Sequence, residues 1–389
     1  MRVILAVDAI FPPLTGIGRY ASELVAGLQG REEMESLRFF QHGRFVGQPA
    51  LASTTAGPKS AGTPGIPLAA RLRAGLARSP LAVRAYGVVA PRLAQWRLRA
   101  YADHLFHSPN FLLPPFAGPG IATVHDLSTV HYPAYHPAAR VALMNRAIPQ
   151  AVERASALIT PSEAVRSEVI AHYGVSGERV HSIPMGVDAR YAPRSAAVLE
   201  AELAPLGLQA GSYLLCVATL EPRKNIARLL EAFRQLPAPL RQRYPLVLAG
   251  GRGWHSDEVY STIRDLSHSG EVRHLGYVPE AALPALYAGA RLFAFPALYE
   301  GFGLPVLEAM ASGVPVVTSN SSSLPEVAAE AALLVDPHDS TAIASALQRG
   351  LEDEDWRHTA RAAGLARAAQ LSWSRCVETT LELYRSLTP

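Results

Sequence analysis

Short apolar runs alternate with helical patterns along the whole chain, and the alternation restarts halfway. In the first half "RVILAVDA", "LRFFQH", "DHLFHS", "IATVHD", "SALITPS" and "RVHSIPMG" read as strands. Helical patterns such as "GRYASELVAGLQG" and "AVRSEVIAHYG" lie between them. The second half repeats the scheme with "YLLCVAT", "YPLVLAG", "EVRHLGYV", "RLFAFPA", "VPVVTS" and "ALLVDP", joined by helices such as "NIARLLEAFRQL", "ALPALYAGA" and "LPVLEAMASG". Strands apolar along their whole length, separated by helices, imply parallel sheets covered on both faces. Two such sets imply an α/β chain of two doubly wound domains, which suits 389 residues at 49% hydrophobic and 18% charged. The boundary falls within 186–212, an Ala/Pro/Gly-rich stretch without strand pattern. The final "LSWSRCVETTLELYRSL" reads as one more amphipathic helix.

Other patterns exclude function classes. Two cysteines, Cys216 and Cys376, lie far apart in apolar or helical surroundings. They argue against a disulfide scaffold or a cysteine zinc site and fit a reducing cytoplasm. The chain opens directly into a strand, without a signal-peptide pattern, and no apolar run reaches the roughly 18–20 residues that span a bilayer. The net charge of +3 is unevenly placed: 36–102 holds ten Lys or Arg and no Asp or Glu. Seven of those ten lie in the helical pattern 71–100, which follows a loop-like 47–70. Such a stripe suits an anionic surface, lipid head groups or a phosphorylated acceptor, or else a solvated helical face.

In open parallel sheets, ligands bind beyond the carboxyl ends of the strands. The residues after each strand are therefore the candidates. In "FPALYEGFGLPVLEAM" a strand over 291–296 runs through a glycine loop into a helix beginning near Leu304. Pro305 fits the first helical turn, and Gly301 and Gly303 allow close backbone approach. Free amides and the dipole at that helix start favour a phosphate oxygen by roughly 0.3–1 kcal/mol. Glu300 and Glu308 bracket the loop, and each carboxylate can hold two vicinal sugar hydroxyls. A retaining hydrolase needs carboxyls roughly 5–5.5 Å apart. Eight residues of helix rise about 12 Å, so this pair reads as a clamp along an elongated ligand.

In "CVATLEPRKNIARLLEAF", Arg223 and Lys224 sit at a helix start, where the dipole disfavours cations; a nearby anion such as a diphosphate resolves the conflict. In "IATVHDLSTVHYP", His125 and Asp126 follow a strand: a histidine oriented by a carboxylate toward a substrate oxygen, or a structural turn. The acidic run Asp353-Glu354-Asp355 lies on a late polar helix and reads as a solvated face, not a metal site. Gly16-Ile17-Gly18 followed by Ala21 fits the dinucleotide fingerprint, with Glu32, Glu33 and Glu35 at the ribose-binding distance. That suggests an NAD(P) oxidoreductase, but Phe11-Pro12-Pro13-Leu14-Thr15 separate the strand from Gly16, which makes a longer loop than the fingerprint allows. The loop places Gly16 and Gly18 at a helix start with their amides free; Arg19 and Tyr20 read either as helix-surface residues or as acceptor contacts.

Together these segments resemble the retaining glycosyltransferases of family 4, which have the GT-B fold. "EGFGLPVLE" matches the family's E-x7-E signature, "LPEVAAEAALLVDP" continues it, "TLEPRKN" matches the phosphate-contacting turn, and "VHD" and "TPSEAVRSEV" match first-domain motifs. The resemblance implies two Rossmann-like domains facing across a cleft: 1–195 for the acceptor, 196–372 for the nucleotide sugar, with the helix 373–389 packing back on the first. It assigns the ribose to Glu308, and the donor sugar and diphosphate to Glu300 and the amides of Gly301, Phe302, Gly303 and Leu304. Arg223 and Lys224 neutralise the diphosphate in place of an obligatory metal, so no cofactor is expected. Val278 meets the base through its backbone, His125 contacts the donor sugar, Asp126 supports it, and Gly16 and Gly18 form the acceptor-side loop near the donor phosphates. Many members carry a Gly-Arg pair where this chain has Ala218-Thr219, which leaves the diphosphate grip to Arg223 and Lys224. "TLEPRKN" and "TGIGRY" are most similar to the subgroup that transfers mannose or rhamnose in bacterial surface polysaccharides. That implies a GDP-linked donor, a lipid-linked glycan acceptor, O-antigen synthesis, no nucleic acid, and a cytoplasmic enzyme that is peripheral at the inner membrane through 71–100. A nucleotide-sugar 2-epimerase and a non-catalytic nucleotide-sugar or glycan-binding protein are the alternatives on this fold.

Overall fold

The computed structural model describes residues 1–11, 14–49, 93–254 and 256–388. Most of the expected loop 47–70 and the basic pattern 71–92 lie outside the described residues.

Thirteen described strands form two sheets. The first holds β1 (Arg2–Ala6), β2 (Ser36–Gln41), β3 (Arg44–Val46), β4 (Leu105–Ser108), β5 (Gly120–Thr123), β6 (Ala157–Thr160) and β7 (Val180–Ser182), in the order β3-β2-β1-β4-β5-β6-β7. The second holds β8 (Leu214–Val217), β9 (Leu246–Ala249), β10 (Val272–Gly276), β11 (Leu292–Phe295), β12 (Val316–Ser319) and β13 (Ala332–Val335), in the order β10-β9-β8-β11-β12-β13. Each strand expected from the sequence is present. The short edge strand β3 was not read from the sequence; it pairs antiparallel with β2, Phe39 opposite Val46. Only three residues long, it offers no alternation to detect.

Both sheets are doubly wound. The chain steps outward from β1 to β2, then returns to start β4 on the other side of β1; likewise it steps from β8 to β9 and β10, then starts β11 beside β8. The second order is that of a dinucleotide-binding sheet, with its switch point between β8 and β11. β8 pairs in parallel with β11, Leu214 opposite Leu292. β9, β11 and β12 are buried along their whole length, which explains their continuous apolar sequence. The helix Ile226–Gln235 buries Ile226, Leu229, Leu230 and Phe233, a 3.6-residue stripe.

The chain divides into two compact units. One comprises Met1–Thr123, Ala147–Leu158 and Thr380–Pro389; the other comprises Val124–Arg146 and Ile159–Thr379. Within the first, a buried polar chain crosses the core. His107 is fully buried; its Nδ1 lies 2.5 Å from the Tyr384 hydroxyl and its Nε2 3.1 Å from Thr123 Oγ1, which lies 3.3 Å from the Tyr20 hydroxyl. Tyr20 is thus a core residue at 1% exposure, neither of the two roles its position in "GIGRY" suggested. Both cysteines are free and buried, and burial pushes the Cys216 thiol up to about 12.

Candidate active site

The second unit's switch point places two turns side by side, one after β8 and one after β11. After β8 the chain forms a 3-10 turn, Pro222–Lys224, and the helix begins only at Ile226. Arg223 and Lys224 therefore precede the helix rather than start it. Asn225, between turn and helix, is left-handed (φ 60°) and buried. Its Nδ2 donates to the carbonyls of Pro296 (2.9 Å) and Pro337 (2.7 Å), which ties the turn to the ends of β11 and β13. The last letter of "PRKN" is thus an anchor for the basic pair before it.

The anion that the basic pair demanded is supplied by the chain itself. Lys224 donates to Glu300, and Arg223 Nη1 lies 3.3 Å from the same carboxylate oxygen. Arg223 also donates to Glu221 (2.9 Å) and to the Tyr299 carbonyl (2.7 Å). All four charged groups are largely buried, with side-chain exposures of 5–13%. Burial works against the Arg223 charge, but Glu300, Asp126 and Glu221 outweigh it and raise its pKa. The sequence argument that two cations at this turn require a ligand anion therefore has a competing answer in Glu300 and Glu221.

The loop after β11 carries Glu300, Gly301, Phe302 and Gly303, and the helix runs Leu304–Ala311 with Pro305 in its first turn and Glu308 buried on it. Gly303 is left-handed at φ 111°, and a Cβ there would lie 2.8 Å from Leu324 Cδ2. At Gly301 a Cβ would lie 1.9 Å from the His125 carbonyl oxygen and 3.0 Å from Asp126 Cβ. The space that this glycine leaves is taken by the His125-Asp126 segment. Structure thus brings His125, Asp126, Glu300, Gly301, Arg223 and Lys224 into one cluster.

Asp126 accepts from the Ser128 amide (2.9 Å), as a turn carboxylate does. Burial alone would raise its pKa; the Arg223 charge, the Ser128 bonds and His125 outweigh it and hold the carboxyl below its ordinary range. Val278 follows β10 and is buried, whereas its neighbour Tyr277 is 60% exposed. Tyr287 is buried beside Glu308; burial first, then the Glu308 charge, push its phenol well up.

Several residues that hold this site were not singled out from the sequence, although Ser162 and Glu326 lie in segments that resemble family motifs. A line of hydroxyls follows the backbone from β11 into the loop. Thr318 donates to the Phe295 carbonyl (2.8 Å), Ser319 to Ala297 (2.6 Å) and Ser321 to Leu298 (3.1 Å). Ser322 accepts from the Glu300 amide (2.9 Å), and the Ser323 hydroxyl bridges the carbonyls of Glu300 (2.9 Å) and Phe302 (2.8 Å). Ser162 donates to the Gly301 carbonyl (2.8 Å) and caps its own helix at Val165 (3.2 Å). Glu326, from "LPEV", accepts from the amides of Glu163 and Ala164 at the start of that helix. Tyr299 donates to Glu168 (2.5 Å) and accepts from the Leu127 amide (3.0 Å). His136 is buried with neither ring nitrogen bonded; burial, then the charges of Arg140 and Arg223, hold it below its ordinary pKa. The run of three serines was visible as a run, but its partners are about 20 residues away and only the fold names them.

Gly16 and Gly18 open the helix Gly16–Leu28 in the other unit. There the expectation of free amides needs correction: the Gly18 amide donates to the Thr15 hydroxyl (3.2 Å), an N-cap. Asp353 is also an N-cap, accepting from the Trp356 amide at 2.9 Å, so the acidic run opens a helix. No cluster that could hold a metal ion occurs among the described residues.

Two doubly wound, largely parallel sheets in one chain are the components of the GT-B fold of glycosyltransferases. Residues 14–191 match the family described as Glycosyltransferase Family 4, and residues 205–367 match Glycosyl transferases group 1. The chain is 41% identical over 387 residues to "O-antigen chain mannosyltransferase B" of Escherichia coli, covering 100% of both proteins. It therefore belongs to this glycosyltransferase family and is an enzyme of that kind. The "Serotype-specific mannosyltransferase WbdA" of Escherichia coli is 35% identical over 242 residues, 60% of this chain and 29% of that protein. Among solved structures, Anabaena Alr3699/HepE in complex with UDP-glucose superposes with a TM-score of 0.74 at 18% identity, covering 100% of both chains; that likeness concerns the fold.

Proposed function

We propose that this chain is a retaining mannosyltransferase of O-antigen or related surface-polysaccharide synthesis. It takes the sugar from a GDP-linked donor, GDP-mannose before GDP-rhamnose, and passes it to a lipid-linked glycan. The observation that supports this most is the 41% identity over 387 residues to an O-antigen mannosyltransferase.

In this reading Glu308 holds the ribose, Val278 meets the base, and Glu300 with the Gly301–Leu304 amides holds the sugar and diphosphate. Arg223 and Lys224 stabilise the departing diphosphate without an obligatory metal. The C1–O bond to the diphosphate breaks with its electron pair leaving on phosphate, and the acceptor oxygen bonds C1 on the same face. The acceptor's hydroxyl proton passes to the departing phosphate oxygen. His125 faces the sugar and Asp126, charged at neutral pH, supports it; Gly16 and Gly18 serve the acceptor side. Since Lys224 is paired with Glu300, a diphosphate competes for the ammonium and frees the carboxylate for sugar hydroxyls. No described helix is long and apolar enough to cross a membrane, so contact with a lipid-linked acceptor is assigned to the basic segment 71–100.

Nucleotide release from GDP-mannose, GDP-rhamnose and UDP-glucose, with a mannose-terminated lipid-linked acceptor, tests the reading. GDP-mannose should be turned over fastest, and Glu308→Ala should lower kcat/KM by about 100-fold, some 2.7 kcal/mol. Preference for a UDP-linked donor, or full turnover by Glu308→Ala, would overturn it.

A further inference from the structure

At the opposite end of the second sheet's strands lies a cavity of about 290 Å³ lined by Arg194, Arg291, Arg357 and Arg361. Arg291 and Pro315 precede β11 and β12, so the cavity opens where those strands begin, whereas the glutamate loop follows where β11 ends. The helix Leu304–Ala311 spans the interval: Glu308 lies on it, and Ser312 and Gly313 just past its end line the cavity.

Two carboxylates answer the four guanidiniums. Arg194 pairs with Glu202 (2.9 Å), and Glu354 is shared by Arg291 and Arg357, the latter at 2.9 Å. No carboxylate pairs with Arg361 among the described residues. The Nε atoms of Arg194, Arg291 and Arg357 are buried and unbonded. Burial, and then the charge of Arg291, lower the Arg357 pKa, a sign of mutual repulsion between the two. The ordinary explanation is that arginines complement helix C-termini, and Arg291 does donate to the Leu351 carbonyl at 3.2 Å. Two helix ends reach the cavity, those of Leu304–Ala311 and Ser340–Glu352, and together they supply only about one negative charge, which leaves roughly half of the excess unmatched.

We propose that this cavity is a second anion site, which takes a small phosphate-bearing molecule of at least two negative charges. Guanidiniums present paired N–H groups that match phosphate oxygens, and a dianion would relieve the repulsion that Glu354 alone does not. The site is independent of the donor reading, because none of its residues belongs to the glutamate loop or the basic turn.

Inorganic diphosphate titrated into the full chain by calorimetry tests the site, with Arg357→Gln/Arg361→Gln, the exposed Arg361→Gln alone, and Lys224→Ala as comparisons. The wild-type protein and Lys224→Ala should both bind diphosphate. Placed in the Lys224→Ala background, which removes the basic-turn site, the double variant should bind at least about tenfold more weakly than Lys224→Ala alone, equal to 1.4 kcal/mol, and Arg361→Gln in the same background should weaken it measurably should the double variant fail to fold. Amide shifts at Gly211 and Gly313 should accompany binding. Binding lost in Lys224→Ala but kept in both arginine variants would overturn the proposal, as would no binding at about 1 mM diphosphate. Arginine-dependent sedimentation with phosphatidylglycerol vesicles without diphosphate binding would also overturn it, in favour of a lipid head group.

Discussion

Two turns in this chain carry the same outward sign, a G-x-G at the start of a helix that follows a parallel strand beside a switch point. Gly16-Ile17-Gly18 follows β1, and Gly301-Phe302-Gly303 follows β11. Gly18 makes room for the Ala9 carbonyl, 2.6 Å from where its Cβ would be, and its amide is capped by the adjacent Thr15. The first turn is closed by its own neighbours in sequence. Gly301 makes room for the His125 carbonyl, Gly303 is left-handed, and the loop is held by Ser162, Ser322 and Ser323, with Glu300 bound to Lys224. The second turn is closed by residues brought from 21 to 176 positions away. The local motif sets the backbone; the chemistry depends on what the fold carries to it.

The sharpest way to break this contrast is to add one methyl to each turn. In Gly301→Ala the Cβ meets backbone at 1.9 Å and nothing compensates, so stability should fall by about 3 kcal/mol. Turnover should fall with it, because the His125-Asp126 segment must move. In Gly18→Ala the clash at 2.6 Å is milder, and alanine's helix propensity returns about 1 kcal/mol, so the net loss should be smaller. Urea midpoints give the order; a Gly18→Ala loss equal to that of Gly301→Ala would end the distinction.

Ser323→Ala tests the long-range support alone. Its hydroxyl is fully buried between the Glu300 and Phe302 carbonyls, and its removal should cost about 1–2 kcal/mol and raise the donor KM. A stability loss with unchanged KM would separate the serines from the site. The acid limb of stability is a smaller test. The Asp126 carboxyl is held below its ordinary 3.8, so its contribution is present above that value and is lost as pH falls through the folded one. Asp126→Asn should flatten the acid limb, and an acid limb as steep as in the parent would show that Asp126 does not titrate with folding.

These contrasts also show what the sequence could reveal. The central strands β9, β11 and β12 were legible because they are buried along their whole length and read as continuous apolar runs bounded by turn residues, whereas the three-residue edge strand β3 was not. Glu300, Arg223 and Lys224 stood out because charge interrupts such runs just after a strand, and Glu308 because it stands among apolar residues on a helix. The reason for the charge was not: the basic pair pointed to an external anion, and the fold supplies Glu300 and Glu221 at that turn. Tyr299, Ser162 and Ser323 carry no such interruption, since a tyrosine or serine is ordinary in a loop. Their roles exist only as distances between segments remote in sequence.

The smallest predicted effect falls on the turn that is closed locally. The Thr15 hydroxyl accepts from the Gly18 amide at 3.2 Å, an N-cap whose loss costs about 1 kcal/mol. Thr15→Ala should lower the urea midpoint by that amount, and Thr15→Ser should restore it, since serine keeps the acceptor. The proposed acceptor-side role of Gly16 and Gly18 makes a further demand. The change frees the Gly18 amide, so a turn that only supports the helix leaves acceptor KM unmoved, while a turn that binds acceptor or phosphate alters it. A shift in acceptor KM at constant kcat, beyond the stability loss and reversed by Thr15→Ser, would mark this first turn as part of the binding surface.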